Sequence, residues 1–319
     1  MLVYNRFKRS EAINLNSCLE SRVRFDDSSI EEIFSNPSLV LKDIKSFWEN
    51  EVPYRLTLEW SEATRVPIDY ESFRNILEEL NTQTVDDRRK HEAYRLSAKV
   101  MEYAPVFESR ALPHVCSYLP ADTKIDTAVR TACFIPPWAY QAKGNVIVNT
   151  SHLHWNNDAG MVLNIVVHEL FHAGHVHYIE PVDFKAINTN EKTAELIMAG
   201  LQSEGMATYV AYRAKQLFPS TMVDPDYKML ENKDDVLRLS EKINHLFNIS
   251  KLKSFEEIRD VIWEEGIMSR AYYVVGAYMA RKIEELSSKD AVVETILKGA
   301  RHFINTYNTL AFDDFKILL

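Results

Sequence analysis

His168-Glu169-Leu170-Phe171-His172 reads H-E-x-x-H. On a helix, positions i and i+4 share one face, with Cβ atoms roughly 5–6 Å apart. Two imidazoles at that spacing can bind one zinc ion, each nitrogen about 2.0–2.1 Å from it. Glu169, directly after the first histidine, reaches the open coordination position rather than the ion and can take a proton from a water there. That division of labour belongs to a zinc hydrolase.

A catalytic zinc usually takes three protein ligands and keeps one position open. The pattern H-E-x-x-H-x-x-G-x-x-H would need Gly at 175 and His at 178, but this chain has His175 and Tyr178 there. His175 and His177 lie at or past the expected helix end and read as exposed or capping side chains. A glutamate on a second helix is the other source of a third ligand. Glu191, Glu195 and Glu204 are within reach in sequence. Glu191 sits in a wholly polar setting, Asn188 to Lys192, and Glu195 fits the first turn of a following helix. Glu204 lies mid-helix among Gly200, Gly205 and Ala207. A carboxylate there is costly to bury unless paired or metal-bound, so Glu204 is preferred and Glu191 comes next.

The elements that must position these groups follow from hydrophobic spacing. Met161 to Phe171 reads as a buried helix, with Asn156, Asn157 and Asp158 as N-cap residues before it. Helical spacing recurs at 38–50, 70–81 and 85–118, where Pro105 is expected to kink or break the run. It recurs again at 158–178, 193–217, 233–247, 255–265, 270–286 and 290–306. Ser28 to Glu31 and Ser254 to Glu257 match the capping-box pattern. Ala128 to Ile135 and Asn145 to Asn149 read as strands between turn residues. Five of the eight glycines fall between 144 and 205. Glycine clusters where backbones approach closely or turn, so the tightest packing is expected around the motif. The reading is an α+β fold, predominantly helical, with a small sheet. A helical N-terminal region at 1–120 precedes a catalytic region at 121–319, or the two form one interleaved domain.

His168-Glu169-x-x-His172 followed by Glu204-Gly205-Met206-Ala207-Thr208-Tyr209 resembles the gluzincin clan of zinc metallopeptidases. The second string looks like the third-ligand segment of the M1-type aminopeptidase group. The chain is also similar to bacterial proteins described as "putative zinc-dependent peptidases", which carry a segment like Tyr272-Tyr273-Val274-Val275-Gly276. The likeness runs from about residue 145 to 285. It implies a zincin-like, thermolysin-like core with His168, His172 and Glu204 on Zn2+, Glu169 as general base and a peptide or protein substrate. It also implies an oxyanion donor from a downstream helix, for which Arg270, Tyr272 and Tyr273 are the candidates. In the resembled fold an edge strand before the metal helix pairs with extended substrate, a place that Asn145 to Asn149 would fill, with His152, His154 and Trp155 lining a pocket. Two departures stand out. The interval from His172 to Glu204 is longer than in the M1-type group, so an insertion is expected to loop out around Tyr178 to Asn190. The Gly-x-Met-Glu-Asn segment that holds a free amine is missing upstream, so aminopeptidase specificity does not carry over.

Composition narrows the function classes. At 319 residues, with 46% hydrophobic and 26% charged side chains, the chain has the profile of a soluble globular protein. A net charge of −9 argues against nucleic acid or an anionic membrane as partner. Cys18, Cys116 and Cys133 are too few and too scattered for a disulfide framework. With no apolar leader behind Met1 to Ser10 and no membrane-length apolar run, a cytoplasmic location is expected. Two other functions use the same residues: hydrolysis of a non-peptide amide or ester by the same zinc centre, and non-catalytic binding on a zincin scaffold.

Overall fold

A computed structural model describes residues 20–82, 88–152, 155, 158–179, 186–311 and 316–319, with side chains in the helix starting at Arg88 described from Glu92 onward. The expected roles of Cys18, His154, Asn156 and Asn157, and part of the expected insertion at Tyr178 to Asn190, fall outside the described residues.

Among the described residues the fold is mostly helical α+β, with one four-stranded mixed sheet in the order β1-β2-β4-β3. Strand β1 spans Arg22–Asp26, β2 Asp126–Ala132, β3 Ala139–Ala142 and β4 Asn145–Asn149. The β1–β2 and β2–β4 pairs are parallel, and β3 runs antiparallel to β4. The side-chain period of two decides what each face meets. Val146 and Val148 of β4 enter one apolar core, while Ile147 between them enters the other. One core joins the sheet to the helices that carry the H-E-x-x-H motif and its surroundings. The other is built from Ile30, Trp48, Tyr54, Phe73 and Leu77 of the N-terminal helices, packed on Ala132, Cys133 and Tyr140. A strand apolar on both faces is what a sheet covered by helices on both sides requires.

Five helices matter for the site. They are α1 (Val52–Thr64), α2 (Ala159–His175), α3 (Asn190–Ala214), α4 (Pro225–Glu231) and α5 (Ala271–Leu286). Helix α1 lies outside every stretch read as helical from periodicity. A π-helical turn at Trp263–Met268 precedes α5. Among the described residues no helix is long and apolar enough to cross a membrane.

Several element boundaries move for local reasons. The run 38–50 divides into helices at Pro37–Lys42 and Ile44–Asn50, because the Asp43 side chain caps the second by accepting from Ser46 N–H at 2.9 Å. The run 85–118 breaks at Tyr103, with Pro105 in the first turn of the short helix that follows, and passes through a π-helical turn at Phe107–Ala111. The run 290–306 divides at Gly299, whose φ of +82° suits glycine. Ser254 and Glu257 form the expected capping box. Ser28 does not cap: it already lies inside its helix, with Asp27 at the N-cap position. Strand β2 stops at Ala132, and Phe134 two residues on has a φ of +60°.

Candidate active site

Helix α2 is fixed at its start by Asp158. Its carboxylate accepts from Met161 N–H at 3.0 Å, from the Ser220 hydroxyl at 2.9 Å, and from the Thr221 N–H and hydroxyl at 2.8 Å each. Burial works to raise the Asp158 carboxyl, but these donors outweigh it and hold the group below its ordinary value. Of the three N-cap residues read from the sequence, Asp158 is the one described in that role. A Cβ on Gly160 would lie 2.2 Å from the Pro219 carbonyl oxygen, so the first turn of α2 meets that loop backbone to backbone.

Helix α3 starts at Asn190, so Glu204 lies about four turns in. Of the stretch Tyr178 to Asn190 where an insertion is expected to loop out, only Asn190 lies in α3 among the described residues. Helices α3 and α5 cross on main chain. A Cβ on Gly205 would sit 2.2 Å from Gly276 Cα, and one on Gly276 would sit 2.1 Å from the Leu201 carbonyl oxygen. Glycine at both positions brings Glu204 on α3 and the start of α5 to the same cleft.

At the floor of that cleft, His168 Nε2 and His172 Nε2 are 3.1 Å apart. Glu204 Oε2 lies 3.3 Å from the first and 3.5 Å from the second. A tetrahedral ion with arms of about 2.0–2.1 Å holds its donors about 3.3–3.4 Å apart. The three atoms thus form the face of a tetrahedron of zinc size, and two nitrogens with one carboxylate oxygen are a donor set zinc accepts. Burial works to raise Glu204, yet His172 and His168 hold it well below the ordinary carboxylate range. Burial works to lower His172, and Glu204 outweighs it, so the imidazole lies above its ordinary value.

With Nε2 turned to the shared centre, the other ring nitrogen carries the proton. His172 Nδ1–H then donates to Ser203 Oγ at 3.2 Å, and His168 Nδ1–H points to Thr208 Oγ1 at 3.5 Å. Both hydroxyls flank Glu204 on α3. They were not picked out from the sequence, although Ser203 precedes Glu204 directly and Thr208 follows it by one turn. Glu169 lines the same cleft. Burial pushes its carboxyl up and Glu204 adds to this, opposed by His168, His172 and a hydrogen bond from the Gln141 backbone on β3.

The cleft encloses about 630 Å³. Tyr273 and Arg270 line it, and Tyr272 does not. The Tyr272 ring fills the space left by Gly200 and Gly266, and its hydroxyl is buried with no hydrogen-bond partner among the described residues. Tyr273 stacks on His168 with ring centroids 6.0 Å apart. Burial, then the nearby Glu204, pushes its hydroxyl far above the ordinary value, so it stays a proton donor. Arg270 has a left-handed φ of +67°, pairs with Asp226 at 2.6 Å, and lies 3.3 Å over the Tyr273 ring. Asp224 also lines the cleft, pushed up to about 6 by burial and then by Asp226. Nothing in local spacing announces Asp224 or Asp226, which arrive on the short helix α4 and its cap.

Several expectations need correction. The edge strand facing the cleft is β3, because β4 is paired on both sides. Trp155 is fully buried with its indole N–H donating to the Asn149 carbonyl, and neither it nor His152 lines the cleft. His175 is not exposed. It is buried against Phe171, ring centroids 5.1 Å apart, and burial pushes it down to about 3, so it is neutral. His177, Glu191 and Glu195 are exposed, away from the three donor atoms.

A family model described as "Putative zinc dependent peptidase (DUF5700)" matches residues 56–314. The chain belongs to this family. No curated protein matches the chain. No solved structure matches it either.

Proposed function

From this family membership and the cleft geometry, we propose that the chain is a zinc-dependent metallopeptidase with a zincin-like core. The observation that carries the reading is the triangle of His168 Nε2, His172 Nε2 and Glu204 Oε2, with separations of 3.1, 3.3 and 3.5 Å and Glu169 lining the same cleft. These three atoms hold zinc. Bound there, zinc supplies Lewis-acid polarisation of a carbonyl and lowers the pKa of water.

The chain's own residues do the rest. Glu169 takes the proton of the attacking water at its carboxylate and delivers it to the departing amine. Its raised affinity for protons suits that task better than an exposed glutamate would. Tyr273 donates its hydroxyl hydrogen to the developing oxyanion. Arg270, held by Asp226 and stacked on Tyr273, positions that ring. The outer edge of β3 pairs with an extended substrate backbone, as edge strands do in peptide recognition.

Metal analysis beside a peptide-hydrolysis assay tests the reading. One zinc per chain is expected in the wild type and in Glu169→Gln, and loss or loosening in His172→Ala and Glu204→Ala. Glu169→Gln is expected to abolish hydrolysis while retaining metal. Full activity in Glu169→Gln would overturn the mechanism. No zinc uptake by any form would overturn the metal site.

A further inference from the structure

The chain has five tryptophans. Trp48 and Trp155 are buried in the cores, and the three that reach solvent, Trp60, Trp138 and Trp263, all line the cleft that holds the donor triangle. They come from separate elements. Trp60 is on α1 and packs near Tyr140, with centroids 6.2 Å apart. Trp138 immediately precedes β3 and is 39% exposed. Trp263, 46% exposed, opens the π-helical turn before α5, and Ile267 of that turn also faces the cleft. Trp138 packs against His152, ring centroids 5.1 Å apart, and against the buried Trp155 at 6.3 Å. Large apolar side chains that line a cleft and stay partly open to water point to an apolar partner.

The floor has the same character on both sides of the centre. Ile165 lies one turn before His168, and Val176 one turn after His172, and both line the cleft. The two are eleven residues apart (176 − 165), about 16 Å at 1.5 Å per residue. That is the reach of roughly five residues of extended chain. The cationic Arg270 is paired with Asp226, and Asp224 beside that pair lines the α4 end of the cleft.

We propose that this cleft takes extended peptide segments with bulky apolar side chains on both sides of the scissile bond, and that Trp60, Trp138 and Trp263 set that preference. The inference rests on the peptidase reading above. Because apolar surface continues past the centre in both directions, the substrate needs no free terminus, and cleavage is internal.

Zinc-loaded wild-type protein would be assayed with short peptides blocked at both ends, carrying either Phe and Leu or Ala and Ser around one cleavable bond. Binding of the same peptides to zinc-loaded Glu169→Gln would be followed by tryptophan fluorescence. The blocked Phe/Leu peptide is expected to be cleaved at least about tenfold better in kcat/KM, with a saturable fluorescence change. Trp138→Ala and Trp263→Ala are each expected to lower kcat/KM by about two- to tenfold, mainly through KM, with zinc content unchanged. Trp263→Leu, which keeps the apolar bulk, is expected to fall between. Equal cleavage of both peptides overturns this inference and leaves the peptidase reading standing. Cleavage only of peptides with a free amine overturns it too, and assigns Asp224 as an amine anchor. No cleavage of any peptide by protein that holds zinc removes the peptidase reading and this inference with it.

Discussion

The hydroxyl partners of the two histidines bear directly on metal affinity. A ligating imidazole is commonly steadied at its second nitrogen by a carboxylate or a carbonyl, and loss of such a partner costs about 10- to 100-fold in affinity. Here the partners are Ser203 and Thr208. Ser203→Ala is expected to weaken zinc binding by about tenfold in a chelator competition, with the fold unchanged by circular dichroism. Unaltered affinity would mean that His172 is oriented by packing alone. Asp224 makes a pH-dependent contribution of unusual sign. Its folded-state carboxyl is pushed up to about 6 from 3.8. A carboxyl raised on folding binds its proton more tightly in the folded state, so its contribution is most favourable below about pH 4 and is lost as pH rises toward 6. Asp224→Asn keeps an oxygen for the N-cap bond to Asp226 and removes the titration. Its melting temperature relative to wild type is expected to rise between pH 4 and pH 7, and a flat difference would contradict that. At this scale the sequence was most legible where chemistry is local. The i, i+4 histidines and the mid-helix Glu204 could be named from spacing, whereas Asp224, Asp226 and the three cleft tryptophans reach the site from separate elements.

Among elements, the close crossing of α3 and α5 has the clearest consequence. Gly276→Ala would push a methyl group to 2.1 Å from the Leu201 carbonyl oxygen, a contact that main chain cannot absorb by rotating a side chain. A destabilisation of about 1–3 kcal/mol is expected, together with weaker zinc binding, because Glu204 lies one residue from the Gly205 contact. Thermal melting and zinc titration of that variant would check both, and an unchanged melting temperature would mean that the helices separate freely. Strand β4 was legible because it is a short run of β-branched residues, Val146, Ile147 and Val148, bounded by Gly144. Strand β1 was not, because its partner β2 lies a hundred positions away and its own five residues carry two arginines and an aspartate. Strand β3 has only four residues and follows two prolines, a pattern that reads as loop. The π-helical turn at Trp263–Met268 has no signature in a period of 3.6, so the run at 255–265 read as plain helix.

For the molecule as a whole, the proposed ion would tie α2 to α3 from within. Anything that binds the folded state and not the unfolded one adds stability, by about 4 kcal/mol at a thousandfold excess over Kd. Removing zinc with a chelator is therefore expected to lower the melting temperature by several degrees, reversibly on readdition, with no such change in Glu204→Ala. A chelator-insensitive wild type would count against the site. Mostly helical content with one small sheet was legible from glycine-poor, amphipathic sequence. That helices cover both faces of the sheet was not, since it depends on which core Val146, Ile147 and Val148 each enter. The glycine crossing has a further meaning for how this chain can change over time. Where two helices meet through side chains, each substitution at the interface resets their distance. Where they meet through bare backbone, that distance belongs to the peptide itself. Residues elsewhere along α3 and α5 can then drift while Glu204 and Tyr273 keep their spacing, and the freedom of the many rests on the fixity of Gly205 and Gly276.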